Sequence, residues 1–118
     1  MAVTGIGGMF FRAKNPDALL EWYRVHLGVV VDGRTPWEQA PGPTMVVPFA
    51  ADTDYWPAGK HWMINFRVSD LDGLLSTLRQ AEIAVERDPA TDTAEVGRFA
   101  RIHDPEGNPI ELWEPPAE

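Results

Sequence analysis

Residues 9–24, "MFFRAKNPDALLEWYR", fall on residues 64–79, "INFRVSDLDGLLSTLR", when the chain is slid against itself by 55 positions. Phe11 meets Phe66, Arg12 meets Arg67, Asp17 meets Asp72, Leu19 and Leu20 meet Leu74 and Leu75, and Arg24 meets Arg79. Such self-similarity at one offset marks a repeated structural unit. Each copy opens with the alternation of a strand and then changes to the period of a helix. In the first, Asn15 is placed to cap a helix that starts at Pro16, and Leu19, Leu20, Tyr23 and Leu27 recur at three- and four-residue spacing until Gly28 stops it. In the second, Asp70 caps, Leu71, Leu74, Leu75 and Leu78 form the apolar stripe, and Arg79 suits the negative end of the helix dipole.

After each predicted helix come β-rich pieces separated by turn residues. They are "VVVDG" (29–33) and "TMVVPFA" (44–50), then "AVERD" (84–88), "GRFARIH" (97–103) and "IELWE" (110–114). The pattern predicts an α+β fold of two βαβββ modules, about 5–50 and 61–115, in a single domain over 1–118. One helix covers only one face of its sheet, so the modules must join and leave their other faces toward each other around a concave mixed-sheet cavity. "AADTDYWPAGK" (50–60) would link the halves, and "DPATDTAEVG" (88–97) would be a polar loop able to move over the cavity.

A chain of 118 residues with 44% hydrophobic side chains is large enough to bury one core unaided. Its formal net charge of -8, with no local basic patch, argues against nucleic-acid and anionic-membrane partners. The absence of cysteine excludes disulfides, thiolate nucleophiles and cysteine metal sites. The opening "MAVTGIGGMFFRAKN" lacks a signal-peptide pattern, and no run approaches about 18 consecutive apolar residues, so a soluble cytoplasmic protein is expected.

Strand alternation sorts the side chains. Ile64, Phe66 and Val68 form an apolar face suited to a helix, which leaves Met63, Asn65 and Arg67 on the other. By the repeat, Gly8, Phe10 and Arg12 take the same face in the first half. Ile110 and Leu112 belong under a helix, so Glu111 and Trp113 share the concave side, joined by Phe99, Arg101 and His103. Glu111 either lines a cavity near arginines that keep it ionised, or points to water from the wet face of an antiparallel sheet.

The two βαβββ halves, the helix "NPDALLEWYRVHLGV" (15–29) and the closing "DPEGNPIELWEP" (104–115) resemble the vicinal oxygen chelate superfamily, which includes glyoxalase I, bleomycin-resistance proteins and extradiol dioxygenases. The resemblance spans nearly the whole chain and implies the fold more than the chemistry. It implies a homodimer, and in the enzymes a divalent metal held by His, Glu or Gln on the concave faces. Carried onto this sequence, the ligand positions fall on Gly8, Met63, a site at or beside Pro48, and Glu111, of which only Glu111 can ligate. One carboxylate holds metal weakly, so no cofactor is expected; a shifted set of His61, His103 and Glu111 is the alternative through which a divalent metal would bind. His26, near a helix end, reads as structural or solvated.

Trp37, Trp56, Trp62 and Trp113 either line the cavity, where aromatic walls stack on flat ligands, or fill core or a dimer contact; Trp113, beside Glu111, is assigned to the pocket. Arg12 and Arg67 either bind an anionic group of a ligand or pair with internal carboxylates. "GIGG" (5–8) precedes a strand rather than opening a helix and is not a phosphate loop. Two functions follow. One is a metal-independent binder of a small organic molecule, using Asn65, Arg67, Glu111 and Trp113, with Phe10, Arg12, Met63 and Arg101 in its wall; the net charge favours a cationic ligand. The other is a glyoxalase- or dioxygenase-like enzyme in which Glu111 is a general base or metal ligand and His103 or Arg67 stabilises an enediolate.

Overall fold

A computed structural model describes residues 2–29 and 34–117. Helix α1 runs Pro16–Leu27, strand β1 Ile64–Arg67, helix α2 Leu71–Gln80, strand β2 Arg98–His103 and strand β3 Pro109–Glu114, with a short 3-10 turn at Pro89–Thr91. Both helices start as their sequences dictate. The Asn15 side chain accepts from the Ala18 N–H and the Asp70 side chain from the Gly73 N–H, so each cap satisfies an orphan donor of the first turn. Helix α1 ends on Gly28 in the left-handed region at φ 67°, which lets its N–H turn back to the last carbonyls.

The sheet has the order β1-β3-β2, with β1 parallel and β2 antiparallel to the central β3. The register fixes its two faces. Ile64, Ile110 and Ile102 line up across one face, followed by Phe66, Leu112 and Ala100. On this face the core forms with Leu19 and Tyr23 of α1 and Leu71, Leu75 and Leu78 of α2. Asn65, Glu111 and Arg101 make a row across the opposite face, and Arg67, Trp113 and Phe99 make the next.

Two anchors tie α1 to the second half of the chain. The Glu106 carboxylate accepts from the Lys14 and Asn15 N–H groups at 2.6 and 3.0 Å, and the Tyr23 hydroxyl donates to buried Asp104 at 2.7 Å. At the other end of the sheet Glu114 accepts from the Leu71 N–H at 2.9 Å, holding the start of α2 against β3.

The expected architecture is met in part. The second half holds β1, α2, β2 and β3, while "AVERD" contributes only a single bridge, Glu86 to Arg101. In the first half, residues 9–13 and 44–50 lie without strand pairing, so among the described residues that half supplies its helix but no strand. The "VVVDG" piece lies outside the described residues from 30 to 33. Nor is the 88–97 stretch a free flap: Arg87 pairs with Asp92 at 2.6 Å, Asp92 accepts from the Phe99 N–H, and Thr93 and Gly97 bridge to each other. No helix among the described residues is long and apolar enough to cross a membrane.

Candidate functional site

Glu111 sits in the central strand, bonded on both sides, so its Cβ direction is fixed by the sheet. It is only 8% exposed, and burial of a carboxylate demands partners. It has two. Asn65, its neighbour in register, donates its amide to Oε1 at 2.8 Å, and the Tyr55 hydroxyl donates to Oε2 at 2.5 Å. On the other flank Arg101 is Glu111's partner in register, and its guanidinium lies over the Tyr55 ring, 4.8 Å from the centroid. The Nε of Arg101 is buried and has no hydrogen-bond acceptor among the described residues.

Tyr55 therefore covers Glu111 and lies beneath Arg101. Its ring stacks on Phe49 at 5.5 Å and 20° and meets Trp56 edge-on at 6.4 Å. Phe49 and Trp56 are themselves in edge contact at 4.9 Å, and the Trp56 indole donates to the Lys60 carbonyl at 2.8 Å. Burial pushes the Tyr55 phenol up to about 12, helped by its bond to Glu111 and the charge there and opposed by Arg101.

The next row is aromatic. Trp113 and Phe99 lie near-parallel, 5° between planes and 6.3 Å between centroids. The indole N–H of Trp113 donates to the Val96 carbonyl at 2.7 Å, which fixes the ring while leaving its π-face uninvolved in that bond. Arg67, beside Trp113 in register, donates to the Ala40 carbonyl at 3.1 Å and pairs with no carboxylate among the described residues.

The alternation reading thus holds for Asn65, Arg67, Phe99, Arg101, Glu111 and Trp113, which share one face. Met63, half-buried, precedes β1 by one residue. Other expectations are corrected. Phe10 is 96% exposed, and Arg12 lines a separate cleft of about 370 Å³ with Ala13, Lys14, Lys60, Glu106 and Asn108, because residues 9–13 are not paired into the sheet. Of the alternatives open to the tryptophans, Trp37 takes the core one, packing edge-on against Phe66 on the helix-covered face, and Trp62 is 86% exposed. His103 shares the face of Arg101 and Glu111 by register, opposite Pro109, and its Nδ1 lies 3.8 Å from the Glu86 carboxylate; His61 is exposed.

No group of three His, Cys, Asp or Glu side chains that could hold a metal occurs among the described residues, so His61, His103 and Glu111 are not brought together as a ligand set. The family positions fit a divalent ion no better. Gly8, Met63 and Pro48 offer no hard donor, and both oxygens of Glu111 already accept hydrogen bonds.

Alternation could not find Tyr55, Phe49 and Trp56, because 49–56 carries no strand. Trp56 is among the tryptophans read as able to line a cavity, and Tyr55 precedes it in "DYWP", within a stretch read as a linker.

The family model of the glyoxalase/bleomycin resistance protein/dioxygenase superfamily matches residues 5–112. The chain belongs to that superfamily. Among solved structures, an antibiotic binding protein, TnmS3, from Streptomyces sp. CB03234 is similar over 98% of both chains, with 23% identity and a TM-score of 0.64. This superfamily member also shares 31% identity with a glyoxalase/bleomycin resistance protein from the same organism, over 46% of each chain and with a TM-score of 0.39. The search of curated proteins gave no match.

Proposed function

We propose that this superfamily member binds a small organic molecule on the sheet face that carries Asn65, Glu111, Arg101, Trp113 and Phe99, and does so without a divalent metal. The observation that carries this reading is the state of Glu111. The family position that can ligate is a buried carboxylate whose two oxygens are held by organic donors, an amide and a phenol. Such a group discriminates ligands by hydrogen bonding, because a molecule that displaced one of these donors without donating in its place would leave the buried charge short of a partner. The neighbouring Trp113 and Phe99 supply flat apolar area beside it. A solved protein of the same fold is described as antibiotic binding, so the architecture accommodates ligands of that class.

The protein acts as a homodimer in this reading. Val3, Ile6, Phe10, Met45, Val46 and Val47 are exposed on segments that lack strand partners, and such apolar surface is what a second copy would cover. The pairing of two βαβββ modules then completes the cavity, with "TMVVPFA" and the N-terminal segment as its missing strands.

Tryptophan fluorescence and thermal melts against a panel of planar aromatic compounds and antibiotics, with and without chelator, test the reading. Saturable quenching and stabilisation that chelator leaves unchanged are expected. Binding that disappears with chelator, or turnover of a bound compound, would overturn it.

A further inference from the structure

Glu111 and Arg101 face each other across paired strands, yet neither neutralises the other directly; Tyr55 stands between them. Its hydroxyl gives Glu111 a proton donor, and its ring gives Arg101 a π-face. We infer that Tyr55 is an internal stand-in for the ligand, and that the site at Glu111 takes a neutral aromatic hydroxyl compound that displaces it. This deepens the binding reading above and rests on it.

Three observations carry the inference. First, the carboxylate belongs to the core strand and stays buried, so whatever replaces Tyr55 must donate to Oε2. Second, Tyr55 is the movable partner. It is 37% exposed and sits in a stretch whose backbone, among the described residues, makes short turns, Thr53 to Ala50, Lys60 to Pro57 and Tyr55 to the Thr53 hydroxyl, so its departure breaks no sheet ladder. Third, Arg101 selects among donors. An ammonium beside its guanidinium is repelled, while an aryl hydroxyl offers both the proton for Glu111 and the ring for Arg101. A cationic ligand, which the net charge of the chain would favour, is therefore disfavoured at this spot.

Displacing an internal occupant lowers apparent affinity by the fraction of molecules in which the slot is open, so removing the occupant raises affinity for its mimic. The test uses 2-naphthol, its methyl ether 2-methoxynaphthalene, and 2-naphthylmethylammonium as probes, measured by calorimetry at neutral pH on wild type, Tyr55→Ala, Tyr55→Phe and Tyr55→Ala/Glu111→Gln. Tyr55→Ala is expected to bind 2-naphthol about tenfold or more tightly than wild type does, the scale of one hydrogen bond to a charged group. The methyl ether and the ammonium gain far less, and Glu111→Gln erases the preference for naphthol. If Tyr55→Ala does not fold, Tyr55→Phe, which removes only the bond to Glu111, shows a smaller gain in the same order. Equal binding of naphthol and its ether by every variant would overturn the inference while leaving the binding reading intact. Failure of all three probes and of the wider aromatic panel to bind any variant would remove both.

Discussion

The Tyr23 hydroxyl on α1 donates to Asp104 Oδ2 at 2.7 Å, across 81 positions of sequence, in the buried layer between the first helix and the β2–β3 turn. Asp104 also accepts from the Glu106 and Asn108 backbone and from the Asn108 side chain, so one carboxylate shapes the turn and receives the helix. Replacing Tyr23 with Phe keeps the ring in its edge contacts with Phe11 and Phe66 and removes only the donor. A hydrogen bond to a charged group is worth about 1.5–3 kcal/mol, and Tyr23→Phe is expected to lower unfolding stability by that amount. Urea titration checks it; a loss below about 0.5 kcal/mol, within the usual range for surface substitutions, would mean that the bond contributes little.

The chain has two tyrosines, and both phenols are shifted upward. Burial dominates for each, with Glu111 adding to it at Tyr55 and Asp104 at Tyr23. A group whose folded pKa lies above its unfolded value stabilises the fold fully below the unfolded value of 10.0 and loses that contribution as pH rises through the folded one, about 12 for Tyr55. Phenolate absorbance of the folded protein should therefore show no titration near pH 10, and stability should fall as pH climbs from there toward 12. Tyr55→Phe should delete the step near 12. An ordinary titration of Tyr23 in the folded state would contradict its burial, and one of Tyr55 its bond to Glu111.

How much of this was legible in the sequence differs by element. Both helix starts and the end of α1 were legible, because caps and stops are local: Asn15, Asp70 and Gly28 act through bonds within five positions, and Pro16 through its fixed φ. The face of β1 and β3 was legible because strand alternation is a geometric constant, which put Asn65, Glu111 and Trp113 together before any contact was known. Transfer by the repeat failed for Phe10 and Arg12. Residue identity carries over a 55-position offset, but strand pairing depends on a neighbour's edge, and residues 9–13 have none among the described residues. Tyr55 was illegible for a different reason: a side chain on an irregular segment has no period from which its direction can be read.

Gly97 is required by both conformation and space. Its φ is 103°, and a Cβ there would lie 2.2 Å from the Glu114 carbonyl oxygen and 3.1 Å from the Trp113 indole nitrogen. Backbone strain of this kind costs about 1–3 kcal/mol, and the contact with rigid backbone adds to it. Gly97→Ala is expected to lower the melting temperature by several degrees. It should also shift tryptophan emission, because the Val96 carbonyl that holds the Trp113 indole N–H precedes it by one residue. An unchanged melt would show that the turn relaxes without cost.

Metal addition separates a binding site from the metal centre of the superfamily's enzymes. Each Glu111 oxygen accepts a hydrogen bond, from Asn65 at 2.8 Å and from Tyr55 at 2.5 Å, and the positions that would complete a ligand set are Gly8, Met63 and Pro48. An ion would compete with these two donors for Glu111 and gain one carboxylate ligand where a catalytic zinc usually has three protein ligands. Protein purified without a histidine tag is therefore expected to carry no stoichiometric metal, and Zn, Ni, Mn or Fe(II) should leave its melting temperature unchanged within about a degree at a concentration well above that of the protein. A shift of several degrees that chelator reverses, and that Glu111→Gln abolishes, would place an ion at Glu111 and return the site to the metal-dependent branch of the superfamily. A shift that Glu111→Gln leaves intact would instead locate the ion elsewhere, with His103 and Glu86, 3.8 Å apart, as the first pair to mutate.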